Sequence, residues 1–201
     1  FLELFSEEIP PKLQINARKK LFLDINNFFL DNNINIKGSS ISFSTPNRIV
    51  INFSNISNDV VKKSEEIRGP SVNAKSEALE GFLKSHNIKK PQLQLKSTEK
   101  GEFYFYKKPK QRLKTYDLLK KNLPSILDKI NWSKSMKWGS NQMFWGRPLK
   151  SILAVFEEKK IDFSFYHLKA SNYTYLDKDF EEKTKIFNNL KSYKSYFNSK
   201  K

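Results

Sequence analysis

The sequence predicts an α+β fold with two lobes, in which helices pack on antiparallel or mixed sheets. Apolar residues recur at helical spacing between Leu13 and Phe29, whereas residues 41–53 alternate in the manner of half-buried strands. The 201 residues include 17 Phe and eight Tyr and are enough for one medium-sized domain or two small ones. There is no Cys, which excludes disulfides and thiolate chemistry.

The first third of the chain predicts a strand, a helix and two further strands. Residues 1–5 form a short strand. Pro10 keeps the preceding residue out of the α region, and Pro11 suits the first helical turn, so a helix begins there and ends near Asp31. The segment "STPNR" places Pro46 between the next two strands, which predicts a turn or a bulge.

Two carboxylates, Glu7 and Glu8, directly precede this helix. The field at a helix N-terminus stabilises negative charge, which gives the pair a structural explanation. The alternative is general acid/base catalysis. Paired catalytic carboxylates normally come from separate elements, whereas adjacent ones tend to point apart, so we favour the helix entrance.

The remaining elements follow from the same patterns. "EIRGPS" (66–71) combines Gly and Pro and predicts a boundary loop. The other predicted elements are a helix over 76–87, a hairpin of 93–95 with 103–106, a helix over 113–130 kinked at Pro124, a strand–turn–strand unit over 147–168, and a final helix near 190–199.

These elements predict three segments. Residues 1–66 form an N-terminal α+β lobe, and residues 67–146 form a basic helix–hairpin–helix excursion. Residues 147–201 return strands to the first lobe and end in a charged helical tail. We expect strands within 41–53 and 151–166 to share a sheet or core, because their apolar faces match.

Charge is concentrated in one part of the chain. The net charge is +16, and residues 81–150 hold 17 basic and four acidic residues, as expected of a polyanion-binding protein. Compositional drift is the alternative, since 32 of the 37 basic residues are Lys. Lysine carries a point charge on a flexible side chain, so it is better suited to binding phosphate than to distinguishing one base from another. The candidate phosphate-binding residues are Lys107, Lys108, Lys110, Arg112 and Lys114.

Several kinds of chemistry have no sequence support. Two His without Cys exclude the usual zinc sites, and the six Gly do not form a nucleotide-binding loop. We predict no catalytic residue and no metal site. No apolar run is long enough to span a membrane, and no signal peptide is visible. A start at Phe1 leads us to expect a piece of a longer protein.

Several segments, in order, resemble the beta subunit of the bacterial two-subunit glycyl-tRNA synthetase. They are "LELFSEEIPPKLQ", "STPNRIV", "RGPSV" with "ALEGFLKSHNI", "KGEFYFY" and "KSMKWGSNQMFWGRPLKSILAVF". Asn47 departs from the family pattern, in which two Arg follow the proline, and so does the segment 176–180. The family-motif residues, to which we assign structural roles, are Glu7, Glu8, Pro10, Pro46, Arg48, Gly69, Pro70, Lys134, Met136, Trp138, Gly139, Arg147 and Pro148.

The resemblance implies a cytoplasmic subunit of a class II aminoacyl-tRNA ligase that is not catalytic by itself. It further implies that this part supports tRNA binding and assembly with an alpha subunit in an alpha2-beta2 enzyme, without a membrane. ATP and Mg would bind the alpha subunit, and this fragment would hold no cofactor. A similarity to the editing-type domain of the phenylalanyl-tRNA synthetase beta chain keeps a hydrolytic pocket open as a minor alternative. The main alternatives are a free-standing RNA-binding protein and a protein-interaction domain with solvated lysines.

Overall fold

The computed structural model describes residues 1–138, 142–176 and 183–200, and combines four helices with antiparallel sheets in these ranges. This confirms the predicted α+β class. The described elements are, in chain order, β1 (Leu2–Ser6), α1 (Pro11–Asp31), β2 (Ser40–Thr45), β3 (Arg48–Phe53), β4 (Asp59–Lys62), β5 (Glu65–Ser71), α2 (Ser76–His86), a 3-10 turn (Lys90–Gln92), β6 (Leu93–Thr98), β7 (Gly101–Lys108), β8 (Gln111–Lys114), α3 (Thr115–Asp128), β9 (Met136–Lys137), β10 (Phe144–Trp145), β11 (Leu149–Phe156), β12 (Lys159–Lys160), β13 (Ser164–Phe165), β14 (Leu168–Lys169), β15 (Tyr173–Tyr175), β16 (Thr184–Ile186) and α4 (Leu190–Asn198).

A five-stranded antiparallel sheet, in the order β12-β11-β1-β3-β2, is the largest sheet in the described ranges. The expectation that strands within 41–53 and 151–166 share a sheet is confirmed. β1 is the central strand, with Leu4 opposite Ile49 on one side and Ile152 on the other. Since strand side chains alternate, Leu2 and Leu4 face one layer, while Glu3 and Phe5 face the other.

Helix α1 covers the first of these faces. It begins after Pro10, has Pro at its first position, and buries one stripe: Gln14, Ala17, Leu21, Ile25 and Phe29. Burial at every third or fourth residue is the helical period, and both the predicted helix and its apolar stripe are confirmed. The Gln14 amide donates to the Ile9 carbonyl at 2.5 Å, which supplies a polar contact at this helix entrance.

Helix α3 belongs to the same core. Its buried residues Leu119, Leu123, Ile126 and Leu127 cluster with those of α1 and the sheet. The chain accordingly divides into Phe1–Val60 with Lys114–Lys201, called unit 1, and Val61–Leu113, called unit 2. We expected residues 67–146 to form the excursion, whereas unit 2 spans Val61–Leu113. The difference arises because the apolar stripe of α3 is buried in unit 1.

The chain leaves unit 1 and returns to it at neighbouring points. β4 pairs with β8. At the start of α3, the Thr115 amide donates to the Asn58 carbonyl at 2.8 Å, and its hydroxyl donates to the Ser57 carbonyl at 2.5 Å. These two hydrogen bonds hold the start of α3 against residues 57 and 58, all within unit 1.

The other face of the large sheet carries a second core. Val50, Leu153 and Val155 lie under Phe187 and Tyr193, from the β15–β16 hairpin region and α4. The predicted final helix is therefore confirmed, and its buried residue Tyr193 faces the sheet.

Unit 2 consists of the three-stranded sheet β5-β7-β6 and helix α2. The hairpin predicted around "FYFY" is confirmed, with Gly101 in the left-handed region at φ 107°. The boundary loop predicted at 66–71 is wrong, since these residues lie in β5. Pairing with β7 shifts register between Arg68 and Ser71, because Pro70 has no N–H to donate to the ladder.

The predicted strand–turn–strand unit over 147–168 is confirmed only in its first half. β11 is a full strand, but its partner β12 has two residues. Glu157 and Glu158 connect them with φ of 48° and 60°, the left-handed conformations of a tight hairpin turn.

Truncating the buried side chain of α3 tests its place in the core of unit 1. Leu127→Ala should lower the free energy of unfolding by about 2–5 kcal/mol, because Leu127 is fully buried and leaves a cavity. Urea unfolding followed by tryptophan fluorescence measures this, as all three Trp lie in unit 1. The matched control is Leu30→Ala at a 65% exposed position, expected within about 0.5 kcal/mol. Equal losses in both variants would contradict the assignment.

Candidate functional site

Three motifs that are distant in sequence meet at the entrance of α1. The Ser6 amide donates to the Asn47 carbonyl at 2.8 Å, and the Ile9 amide donates to the Pro46 carbonyl at 2.8 Å. Between them the Glu7 amide donates to the Pro148 carbonyl at 2.9 Å. The main chain of the opening segment is therefore held between the β2–β3 turn and the start of β11.

The side chains of Glu7 and Glu8 are exposed at this entrance. Together with Ile9, Pro10, Pro11 and the exposed Arg147, they line an open groove of about 380 Å³. The two carboxylates lie just before α1, separated from its N-cap residue Pro10 by Ile9. This position agrees with a helix entrance, where the helix field stabilises negative charge.

Arg48, at the start of β3, is 9% exposed and contacts both β1 and β15. Its Nη1 donates to Glu3 Oε2 at 3.1 Å and to Thr174 Oγ1 at 2.7 Å, and its Nη2 donates to the Tyr175 carbonyl. The guanidinium also lies over the Phe5 ring, 4.3 Å from its centroid. The arginine thus joins the central sheet to strand β15.

Glu3 is the fully buried partner of this arginine. In the sheet it lies between Val50 and Leu153, so its carboxylate has lost its water and depends on donors from the protein. Tyr193 donates its hydroxyl to the same oxygen, Oε2. The other oxygen, Oε1, is buried and has no hydrogen-bond partner among the described residues.

Tyr193 connects the pair to helix α4. Burial, and then the negative charge of Glu3, raise the pKa of Tyr193 above the ordinary tyrosine value. The phenol therefore stays protonated and remains a hydrogen-bond donor to Glu3 in neutral and moderately alkaline solution.

A groove of about 610 Å³ opens beside this cluster. Both Nη atoms of Arg48 already donate to protein oxygens. We therefore assign Arg48 the role of an anchor. The residues lining the groove are Phe43, Thr45, Arg48, Tyr193, Lys194, Phe197 and Asn198.

Sequence reasoning missed the partners Glu3, Thr174 and Tyr193. A usable signal exists for Glu3 alone, since "FLELF" places one charge at an alternate position between Phe1 and Phe5. A charge on the apolar face of a strand requires an opposite charge nearby, and Arg48 begins a neighbouring strand. Thr174 and Tyr193 come from elements far along the chain, and no local pattern identifies them.

The tryptophan motif forms a packed loop. Trp145 and Trp132 are buried with ring centroids 5.1 Å apart, and Trp138 Nε1 donates to the Trp145 carbonyl at 3.0 Å. A Cβ on Gly146 would lie 2.4 Å from a Trp132 ring carbon, so only glycine fits there. Lys134 and Met136 are exposed, while Gly139 and residues 177–180 lie outside the described residues.

The Gly69-Pro70 motif lies in β5, where α2 approaches the sheet. A Cβ on Gly69 would be 3.0 Å from the Phe82 ring and 3.1 Å from the Tyr104 carbonyl oxygen. Glycine therefore permits α2 to pack closely on this strand, and the adjacent Pro70 accompanies the register shift.

The five candidate phosphate-binding residues are exposed. Lys107 and Lys108 are consecutive on β7 and so point to opposite faces of its sheet. Lys110 lies in the following loop, and Arg112 is on β8. Lys114 belongs to unit 1, whereas the other four belong to unit 2.

Within residues 1–138, 142–176 and 183–200, no group of three or more His, Asp or Glu side chains is arranged to hold a metal ion. The helices in those ranges are not long and apolar enough to cross a membrane.

Comparison with known proteins gives one consistent family. The family model described as "Glycyl-tRNA synthetase beta subunit" matches residues 1–201. A glycine–tRNA ligase beta subunit of Rickettsia prowazekii (strain Madrid E) is 36% identical over 174 residues, which are 87% of this chain and 26% of the relative. The same subunit of Rickettsia canadensis (strain McKiel) is 34% identical over 194 residues, 96% of this chain and 29% of the relative. The chain thus spans about a quarter of the length of these curated relatives.

A double-mutant cycle tests whether the buried pair acts as one unit. Arg48→Met should lower the free energy of unfolding by about 3–5 kcal/mol, because it leaves a buried carboxylate without its cation. Adding Glu3→Gln removes that charge, so the double variant should lose less than the sum of the two single losses, by about 0.5–3 kcal/mol. Urea unfolding of the four proteins measures the coupling. Strictly additive losses would show that the two side chains stabilise the fold independently.

Proposed function

The chain belongs to the glycyl-tRNA synthetase beta-subunit family, and on this premise we propose that it forms the N-terminal part of a glycine–tRNA ligase beta subunit. In this proposal it supports tRNA binding and assembly with the alpha subunit, which together make glycyl-tRNA with ATP. The family match over residues 1–201 is the observation that carries the proposal.

The charge distribution supports a role in tRNA binding. Unit 2 holds 13 Lys and Arg against six Glu, a net charge of +7 in 53 residues. The four candidate side chains in this unit, Lys107, Lys108, Lys110 and Arg112, are exposed. Exposed basic groups attract the RNA backbone and release counterions when they bind phosphate, independently of base sequence. We therefore assign this unit a general electrostatic contribution to tRNA affinity.

The subunit assignment also determines in which subunit we place the substrate and cofactor sites. We place the ATP, Mg and glycine sites in the alpha subunit, in a cytoplasmic two-subunit enzyme. Arg48 and Glu3 are committed to each other and to neighbouring elements. We assign this part of the beta subunit a role in binding and positioning.

Removal of exposed charge from unit 2 tests the electrostatic role. In the intact two-subunit enzyme, Lys107→Gln with Lys110→Gln should weaken binding of all tRNAs by similar factors. The slope of log affinity against log salt should become shallower by about 0.7–0.9 for each lost phosphate contact. Fluorescence polarisation with labelled glycine tRNA and one non-cognate tRNA, at four salt concentrations, measures both effects.

The matched control is Lys12→Gln with Lys19→Gln, which removes two exposed charges from α1 in unit 1. Equal effects in the two double variants would indicate a response to net charge alone. Unchanged affinity and slope in the unit 2 variant would make these lysines a solvated surface. A loss confined to glycine tRNA would instead reveal a specificity element.

A further inference from the structure

The two faces of the sheet in unit 2 have different chemistry. On one face, Tyr106 is paired with Ile67 and Leu93, and helix α2 packs there through Phe82 and His86, whose ring lies 6.4 Å from that of Tyr106. The opposite face, called the open face here, alternates with it along each strand. Its members are Glu66 and Arg68 of β5, Gln94 and Lys96 of β6, and Phe103, Phe105 and Lys107 of β7.

Two aromatic rings occupy the middle of the open face. Phe103 and Phe105 are two residues apart on the central strand, about 7 Å between their Cα atoms. Both are only partly buried, although large apolar side chains usually gain their stability from full burial. The rings therefore offer apolar surface on the side of the sheet away from α2.

Cations surround these rings. The Arg68 guanidinium lies over the Phe103 ring, 3.7 Å from its centroid, and Lys96 Nζ lies 5.5 Å from the centroid of Phe105. Lys96 also forms an ion pair with Glu66. Lys107 is exposed and follows Phe105 on the same face. The face thus combines flat stacking groups with three positive charges and one negative charge.

We propose that the open face binds unpaired RNA bases. One base stacks on the Phe105 ring and a neighbouring base stacks on the Arg68 guanidinium where it covers Phe103, while Lys96 and Lys107 bind the flanking phosphates. Unstacked bases bind aromatic rings and guanidinium planes in this way, whereas duplex bases are already stacked inside their helix. The proposal rests on the proposed tRNA-binding function and specifies its partner as a single-stranded tRNA segment.

Charge favours RNA over a protein partner for this surface. Protein interfaces gain most of their energy from buried apolar cores with few charges, whereas the open face places cations directly against both rings. Unit 2 as a whole is also strongly basic. An RNA strand supplies both complements at once, since its bases are flat and its backbone is negative.

The test uses the intact two-subunit enzyme with Phe105→Leu, which keeps apolar volume on the strand and removes the ring. Binding of a fluorescent seven-nucleotide oligouridylate should weaken about tenfold, while the salt slope of binding stays unchanged, because stacking releases no counterions. The matched control is Phe144→Leu, the same change at a 61% exposed position in unit 1. Because Phe144 lies outside the open face, this variant should bind the oligouridylate within about twofold of wild type. A seven-base-pair duplex should compete only weakly.

A second variant keeps the test decisive if Phe105→Leu folds poorly. Phe105→Trp retains a larger stacking surface and should bind the oligouridylate at least as tightly as wild type. Its added tryptophan fluorescence should be quenched by the oligonucleotide, beyond the change seen in wild type. Absence of this quenching in Phe105→Trp, or unchanged affinity in a folded Phe105→Leu, would overturn the proposal.

Two further outcomes separate this inference from the proposed function. If the variant Lys107→Gln with Lys110→Gln weakens tRNA binding but Phe105→Leu binds oligouridylate normally, the subunit binds tRNA and the open face does not stack bases. If Phe105→Leu lowers alpha–beta assembly in size-exclusion chromatography and leaves oligouridylate binding intact, the open face is a protein interface and the inference is wrong.

Discussion

The buried ion pair between Arg48 and Glu3 is the interaction on which the rest of unit 1 depends. Glu3 lies in the central strand of the largest sheet, between apolar neighbours, and its charge requires a buried cation. Arg48 supplies that cation from the adjacent strand and spends its other donors on Thr174 and Tyr175. A buried pair of this kind adds little net stability, but loss of either partner leaves the other uncompensated. Its effect is to determine how residues 173–176 and α4 pack on the sheet.

The family motifs acquire a physical explanation from this arrangement. The opening segment, the β2–β3 turn and the start of β11 are joined by main-chain hydrogen bonds of Ser6, Glu7 and Ile9. Trp132 packs against Gly146, just before β11, because glycine has no side chain to occupy that space. These residues maintain a scaffold. In unit 2, by contrast, no side chain is buried, and the strands carry partly buried aromatic groups and exposed basic groups. We therefore propose a structural role for unit 1 and an RNA-contacting role for unit 2.

Sequence patterns predicted the features that depend on local periodicity. Proline chemistry and an apolar stripe were enough for α1, and alternation was enough for the β6–β7 hairpin. The apolar stripe of α3 predicted a helix. No local signal shows which core buries that stripe, so the sequence placed α3 in the excursion, whereas the structure places it in unit 1. β5 was missed because Gly69 and Pro70 usually break strands, whereas here they accompany a register shift. Lys107 and Lys108 appeared as one cluster, although strand alternation separates them. Tyr193 was not predictable, since its partner is 190 residues away.

Hydrogen–deuterium exchange on the intact two-subunit enzyme, with and without glycine tRNA, tests the separation of roles most directly. The account predicts that tRNA slows amide exchange in residues 93–113, through contacts on β6, β7 and the following loop. Exchange in β1 and β3, around Glu3 and Arg48, should be slow in both states because these strands are central and buried. Protection by tRNA at 43–48 and 190–198, with unit 2 unchanged, would contradict the account, because it would place the RNA at the groove beside Arg48.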